Sequence, residues 1–144
     1  MTPLRVLGGI AVRSLLLLVL AEGIAEIFNV AVTDDDGLGT GLTVMFALVC
    51  AAGAWGMWDG FHRKPLALCV SWVVIGLLVT VGMTLYSHLR DDEWSWAVLS
   101  EDLTSGLGFW SALIFVPAIA CGILPAFIRR NEAQSTGDLA GRHR

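Results

Sequence analysis

Four long apolar stretches alternate with short polar segments along the chain. Each stretch reaches the roughly 20 residues that a membrane-spanning helix needs. Little sequence remains between them for a separate soluble domain. The pattern predicts an all-α integral membrane protein, a four-transmembrane-helix up-down bundle formed by residues 1–130, with spans at about 6–32, 38–58, 66–87 and 105–128.

Two polar segments modify this picture. Residues 89–104 form the longest connection, and their acidic run Asp91-Asp92-Glu93 is followed by Trp94, Trp96 and Leu99. Aromatic residues favour the membrane interface, so we expect a short helix on the membrane surface here. Residues 131–144 are polar and have little to bury, which predicts a disordered cytoplasmic tail.

The basic residues predict the orientation. Of the nine Lys and Arg residues, eight lie in segments that the alternation places on one side, and Arg90 lies on the other. Lys and Arg concentrate in cytoplasmic segments of membrane proteins. We therefore expect both the N and the C terminus to be cytoplasmic.

The composition favours a bacterial membrane location, and the first apolar stretch has an alternative interpretation. Arginine far outnumbers lysine, and alanine, glycine and valine are abundant, which favours a GC-rich bacterial genome and hence the bacterial cell (plasma) membrane. The first stretch could instead be a cleaved signal peptide, with Val19-x-Ala21 as the cleavage triplet. Its apolar run is longer than the 7–15 residues of a signal peptide core, which favours a retained helix.

Several function classes find no support in the sequence. No basic stripe is interleaved with aromatic residues, so we expect no nucleic-acid binding. No nucleophile and base fall into a known catalytic motif, and we expect no enzyme. We also expect neither a metal nor a cofactor, because the cysteine and histidine residues fall at different depths: Cys50, Cys69, Cys121, His62, His88 and His143.

Glu22 and Glu26 are the strongest candidates for chemistry. They are four residues apart, so they share one face of the first helix, and Asn29 continues that face. A charge at the membrane centre costs at least about 2.5 kcal/mol, so both acids should face the bundle interior, face water or be protonated. On the third helix, Thr80, Thr84 and His88 could complete an outward-opening polar cavity. These six residues form the candidate site for a proton, a cation or a small cationic substrate. Alternatively, the two acids hydrogen-bond neighbouring helices or pair with basic groups of another subunit.

Other residues are expected to have structural roles. We expect Asp59 and His62 to form a solvated cluster in the loop after the second helix, and Arg13 to extend to the lipid headgroups. Small residues recur four apart at Gly56–Gly60 and Ala118–Gly122, a spacing that allows close helix packing.

Leu20-Ala21-Glu22 and Ile24 resemble the first helix of the small multidrug resistance transporters. Those proteins are also four-helix membrane proteins of similar size, with a membrane-embedded glutamate in their first helix. The resemblance is limited to residues 20–24, and the additional Glu26, the long 89–104 segment and the tail depart from it. It implies that Glu22 is the embedded carboxyl of a small transporter.

Two function classes follow. The first is a non-enzymatic membrane protein that acts through association with itself, as a homo-oligomer, or with a membrane partner protein. The second is a small proton-coupled transporter or channel that uses Glu22 and Glu26, and a holin-like pore is a third option.

Overall fold

The computed structural model describes residues 3–31, 37–90 and 95–141, and these form four helices. Each helix contains a segment that is long and apolar enough to cross a membrane. The prediction of an all-α chain with four such helices is confirmed, and it is compatible with a multi-pass membrane protein. The helices are α1 (Pro3–Ala31), α2 (Leu38–His62), α3 (Pro65–Arg90) and α4 (Trp96–Gly141).

The fourth helix is longer than the sequence predicted. It begins at Trp96, so the expected separate surface helix is wrong, and residues 96–104 are the first turns of α4. No glycine or proline interrupts these turns, and the Ser100 and Thr104 hydroxyls donate to carbonyls within them. At its other end, the backbone of α4 is helical to Gly141 and so includes residues for which the sequence predicts a disordered tail. The division at residue 130 stays a prediction.

The helices pack in the order α1, α2, α4, α3 around the bundle. The main contacts join α4 to α2 and α3, and α1 to the same two helices, whereas the backbones of α1 and α4 do not come close to each other within the described residues. Leu17, Leu48, Ile75 and Ile114 provide one fully buried core side chain from each helix. Both α2 and α3 therefore lie between the other two helices.

We name the two ends of the bundle by the charges in the sequence. At the basic end, α2 passes into α3 beside Arg63 and Lys64. At the acidic end, α1 passes into α2 and α3 passes into α4. The acidic runs 34–36 and 91–93 fall in these two connections and lie outside the described residues, as do Arg142 and Arg144.

The small residues bring α2 and α4 into backbone contact. A Cβ atom on Gly56 would overlap the backbone of Ala118, and one on Gly60 would overlap the carbonyl of Gly122. Gly56 contacts Ala118, and one turn later Gly60 contacts Gly122, so the two helices run parallel at this contact. The spacing of small residues predicted from the sequence thus serves the packing of α2 on α4.

Candidate functional site

Glu22 lies beside a cavity of about 610 Å3 between α1 and α2, near the acidic end of the bundle. Glu22 is nine residues from the last residue of α1, or about 14 Å at 1.5 Å per residue, so it lies deep within the span. Asn29 of the candidate set also lines the cavity. Within the described part of the chain, the lining is Ala21, Glu22, Ala25, Asn29, Gly37, Thr40, Gly41, Val44, Met83 and Trp110.

The Glu22 side chain makes no hydrogen bond or ion pair with any residue in the described ranges. Arg90 attracts its carboxylate through space but does not contact it. An unpaired carboxylate at this depth is unfavourable unless it is protonated or neutralised by a bound cation. Glu22 is therefore a free acceptor at a cavity wall.

Glu26 has a different environment from Glu22, although the two are one helical turn apart. Its Oε2 atom lies 2.8 Å from Nη1 of Arg90, and its side chain is 56% exposed. This pair joins α1 to α3 at the acidic end. Glu26 is absent from the 610 Å3 cavity and lines a separate lateral groove of about 320 Å3, together with Leu18, Val19, Glu22, Gly23 and Tyr86. Glu22 thus lies between the interior cavity and the lateral groove.

Two of the three α3 candidates line a second cavity instead of the one at Glu22. Thr80 and Thr84 line a space of about 370 Å3 with Asp102 of α4. Met83 and Trp110 line both this space and the Glu22 cavity. The single polar cavity expected from the sequence is therefore divided into two by these side chains.

Hydrogen bonds within the bundle already satisfy the two threonines. The Thr80 hydroxyl donates to the Gly76 carbonyl at 2.9 Å and lies 3.1 Å from the Ser111 hydroxyl, and the Thr84 hydroxyl donates to the Thr80 carbonyl at 3.0 Å. His88 is buried, and its Nε2 atom is 3.5 Å from Oδ2 of Asp102 without a hydrogen bond. Thr80 and His88 therefore lie against α4, the Thr84 hydroxyl bonds within α3, and none of the three contacts Glu22.

The Glu22 cavity ends at a closed layer of the core. Ala21 and Val44 line its floor and are themselves buried. One turn further towards the basic end, Leu17 and Leu48 are fully buried. In this conformation the cavity therefore does not continue past Leu17 and Leu48 towards the basic end.

A buried ion-pair cluster at the basic end was not anticipated. Nη2 of Arg13 lies 2.7 Å from Oδ1 of Asp59, and Nε of Arg63 lies 3.4 Å from the same oxygen. Asp59 is only 2% exposed, so the expectation that it is solvated beside His62 is wrong. His62 is exposed and contacts the Trp58 carbonyl.

The sequence does contain a signal for the burial of Asp59. It lies three residues after Gly56 and one before Gly60, so it shares the α2 face that packs on α4. Burial of that face places the carboxylate inside the bundle, where Arg13 of α1 and Arg63 neutralise it. Arg63 also donates to the Ser71 hydroxyl of α3 at 3.0 Å. The expectation that Arg13 simply extends to the headgroups is replaced by this pairing.

No protein-family model, curated protein or solved structure matches this chain. The likeness of residues 20–24 to the small multidrug resistance transporters therefore remains a resemblance, and the function has to be argued from the geometry of the site.

Proposed function

We propose that this chain is a non-enzymatic, multi-pass protein of a bacterial cell membrane that binds a small organic cation at Glu22 and moves it in exchange for protons. In this proposal both termini are cytoplasmic, and the acidic end with its cavity faces outward. The observation on which the proposal depends is the unpaired Glu22 carboxyl at the wall of a 610 Å3 cavity.

The chemistry of the wall favours an organic cation over a bare metal ion. Trp110, Met83 and Val44 present an aromatic ring and apolar surface, and Glu22 supplies one negative charge. A cation with an apolar body would gain contact with the ring face and neutralise the carboxylate. A hard metal cation would need a shell of carboxylate oxygens, and among the described residues of the lining only Glu22 supplies one.

The closed floor of the cavity favours exchange over a pore. A proton and a cation compete for the same carboxylate, because binding of either one neutralises it. This competition is the minimum requirement for coupling cation movement to a proton gradient. A channel or a holin-like pore would need a continuous opening past Leu17 and Leu48, which are fully buried.

Titration of the detergent-solubilised protein with tetraphenylphosphonium, followed by tryptophan fluorescence, tests the binding step. Glu22→Gln should weaken binding at least about tenfold, the ratio equivalent to 1.4 kcal/mol. Glu26→Gln is the matched control, because Glu26 is the same residue type one turn away and is paired with Arg90. Equal effects of the two substitutions, or no binding by the wild type, would contradict the proposal.

Flux measurements test the transport step. In proteoliposomes, an imposed proton gradient should drive tetraphenylphosphonium uptake by the wild type and not by Glu22→Gln. Glutamine keeps the size of the side chain and its hydrogen-bonding capacity, so the variant should insert at the wild-type level. If the protein binds tetraphenylphosphonium but shows no gradient-driven uptake, it is a cation-binding protein, and the proposal that it is a transporter is rejected.

Association with a second copy or another membrane protein is the second candidate, and the lateral groove supports it. The groove lies between α1 and α3, Glu22 and Glu26 line it, and a Cβ on Gly23 would meet nothing within 4 Å. A basic group on a neighbouring helix could therefore reach both carboxylates there.

Substitutions at two glycines distinguish cation binding in the interior cavity from association through the lateral groove. Gly41 lies in the interior cavity and Gly23 in the lateral groove, and both have open space around the Cβ position. Gly41→Leu should impair cation binding, whereas Gly23→Leu should reduce the oligomeric mass in mild detergent. A monodisperse wild-type monomer with no co-purifying protein would reject the association candidate.

A further inference from the structure

The second cavity, between α3 and α4 at the acidic end of the bundle, has a polar wall that the function proposed above does not use. The cavity measures about 370 Å3, and its lining includes Thr84 and Ser87 of α3 and Asp102 and Ser105 of α4. The residues of each pair are three positions apart, so each pair shares one face of its helix. Side-chain oxygen atoms therefore line this cavity from both helices.

The hydroxyl groups of this wall are left as hydrogen-bond acceptors. The Thr84 hydroxyl donates to the Thr80 carbonyl at 3.0 Å, and the Ser105 hydroxyl donates to the Asp102 carbonyl at 3.2 Å. A hydroxyl group has one proton and two lone pairs. Because both groups already donate their only proton within their own helix, a ligand that supplies donors suits this wall better than one that supplies acceptors.

Asp102 adds a negative charge to the same wall. Its Oδ2 atom lies 3.5 Å from Nε2 of His88, which carries a charge only when it is protonated. No Arg or Lys side chain pairs with Asp102 in the described ranges 3–31, 37–90 and 95–141. The ligand that complements this wall therefore combines a positive charge with hydrogen-bond donors.

The rest of the lining favours an organic cation over a metal ion. Met83 and Trp110 present an apolar side chain and an aromatic ring to the cavity, and a Cβ atom on Gly106 would lie 3.3 Å from Cδ1 of that ring. The ring thus lies close to the backbone of α4, where its face attracts a cation and its area accepts an alkyl group. A hard divalent metal ion needs a shell of charged oxygen ligands, and the described residues contain no group of three His, Cys, Asp or Glu side chains that could hold one.

We propose that the second cavity binds a primary ammonium group carried on a small alkyl body. An ammonium group has three donors, which match the Asp102 carboxylate and the hydroxyl oxygens of Thr84 and Ser105. The alkyl body would then contact Met83 and Trp110. This site is independent of the function proposed for Glu22, because a quaternary cation has no N–H group to use these acceptors.

Two isomeric cations test the need for N–H donors. Butylammonium and tetramethylammonium have the same formula and the same charge, and only butylammonium can donate hydrogen bonds. In calorimetric titrations of Glu22→Gln, which removes the carboxylate of the other cavity, butylammonium should bind at least about fivefold more tightly than its isomer. Equal affinities would overturn the proposal. Displacement of butylammonium by an equal concentration of sodium chloride would also overturn it, in favour of a site for hard cations.

A substitution of the carboxylate locates the ammonium group. Asp102→Asn should lower the affinity for butylammonium about fivefold, the upper range for a charge pair that is half exposed. Glu101→Gln is the matched control, because Glu101 is an exposed acid beside Asp102 that does not line the cavity. Equal losses in the two variants would indicate general attraction to the acidic surface and reject the site. Binding by the wild type that disappears in Glu22→Gln would assign the ligand to the Glu22 cavity and reject it as well.

A substitution of one hydroxyl group gives a second test that leaves every charge in place. Thr84→Val keeps the shape of the side chain, removes one acceptor and should lower the affinity for butylammonium about threefold. Thr104→Val is the matched control, since the Thr104 hydroxyl also donates to the carbonyl four residues earlier but lies outside the lining. If only one of Asp102→Asn and Thr84→Val inserts into the membrane, that variant decides. An unchanged affinity in it would reject the site.

Discussion

Arg13 of α1 and Asp59 of α2, which are 46 residues apart in the sequence, form an ion pair of 2.7 Å within the bundle. The carboxylate is almost fully buried, and the guanidinium is 17% exposed. The pair joins the helix with the fewest packing contacts to the helix that packs most closely on α4. It therefore holds α1 in place at the basic end, as Glu26 and Arg90 hold it at the acidic end.

The two ion pairs of α1 should differ in their contribution to stability. Removal of one partner from a buried pair leaves an uncompensated charge and costs about 3–5 kcal/mol. Arg13→Gln should therefore strongly destabilise the protein to unfolding by sodium dodecyl sulfate, followed by tryptophan fluorescence. Arg63 still neutralises Asp59, so the loss should lie at the lower end of this range.

The exposed pair supplies the control for this prediction. Glu26 and Arg90 are each about half exposed, and exposed ion pairs contribute about 0–1 kcal/mol. Glu26→Gln should thus change the unfolding transition little. The double variant Arg13→Gln/Asp59→Asn should be more stable than the sum of its single variants implies, because neither Arg13 nor Asp59 is then left as a charge without the other. Additive losses would show that the pair is not coupled.

Close packing of α2 on α4 should make Gly56 intolerant of alanine. The new methyl group would overlap the Ala118 backbone, and neither helix can move locally without losing other contacts. Overpacking of a core typically costs about 1–3 kcal/mol. Gly56→Ala should lower the unfolding midpoint, whereas Gly108→Ala, with open space around its Cβ position, should leave it unchanged. Similar midpoints for the two variants would refute the close contact.

The hydrogen bond between Thr80 and Ser111 should contribute modestly to stability. Both residues are buried, and their hydroxyl oxygens are 3.1 Å apart. Hydrogen bonds between membrane helices average about 0.6 kcal/mol. Thr80→Val keeps the shape of the side chain and should cost about this amount in the same unfolding assay. A loss of several kcal/mol would indicate that Thr80 has a further role in the second cavity.

The four helices were readable from the sequence because the length of an apolar run is a local property. The ends of the helices were less readable, since residues 96–104 mix apolar residues with acidic and hydroxyl residues and yet continue α4. The face presented by each helix depends on its rotation in the bundle. Gly76 allows α4 to approach α3, since a Cβ there would lie 2.9 Å from the Ser111 carbonyl oxygen. Thr80, one turn later, is thereby directed towards α4 and away from Glu22.

Tertiary contacts explain the differences within the candidate sites. Glu22 and Glu26 look equivalent in the sequence, but Arg90 of α3 pairs with Glu26 alone. Asp59 looks like a loop residue because it precedes His62 and Arg63, whereas the glycines beside it bury its helix face against α4. In both cases the deciding partner lies on another helix, and no local pattern identifies it.

Accessibility of single cysteines should decide the orientation of the chain. We expect the basic end to be cytoplasmic, because eight of the nine basic residues lie in segments on that side. In intact cells, an impermeant maleimide should label Asp35→Cys and Asp92→Cys, which replace residues of the two acidic connections. Lys64→Cys, at an exposed position between α2 and α3, should react only after the cells are opened.

The native cysteines should not interfere with this measurement. Cys50, Cys69 and Cys121 lie within the segments that are long and apolar enough to span a membrane, and a water-soluble, impermeant maleimide does not enter the hydrocarbon region. A reporter fused after Arg144 gives an independent result and should be active only if the C terminus is cytoplasmic. Labelling of Lys64→Cys but not Asp35→Cys in intact cells would reverse the orientation, and the Glu22 cavity would then open to the cytoplasm.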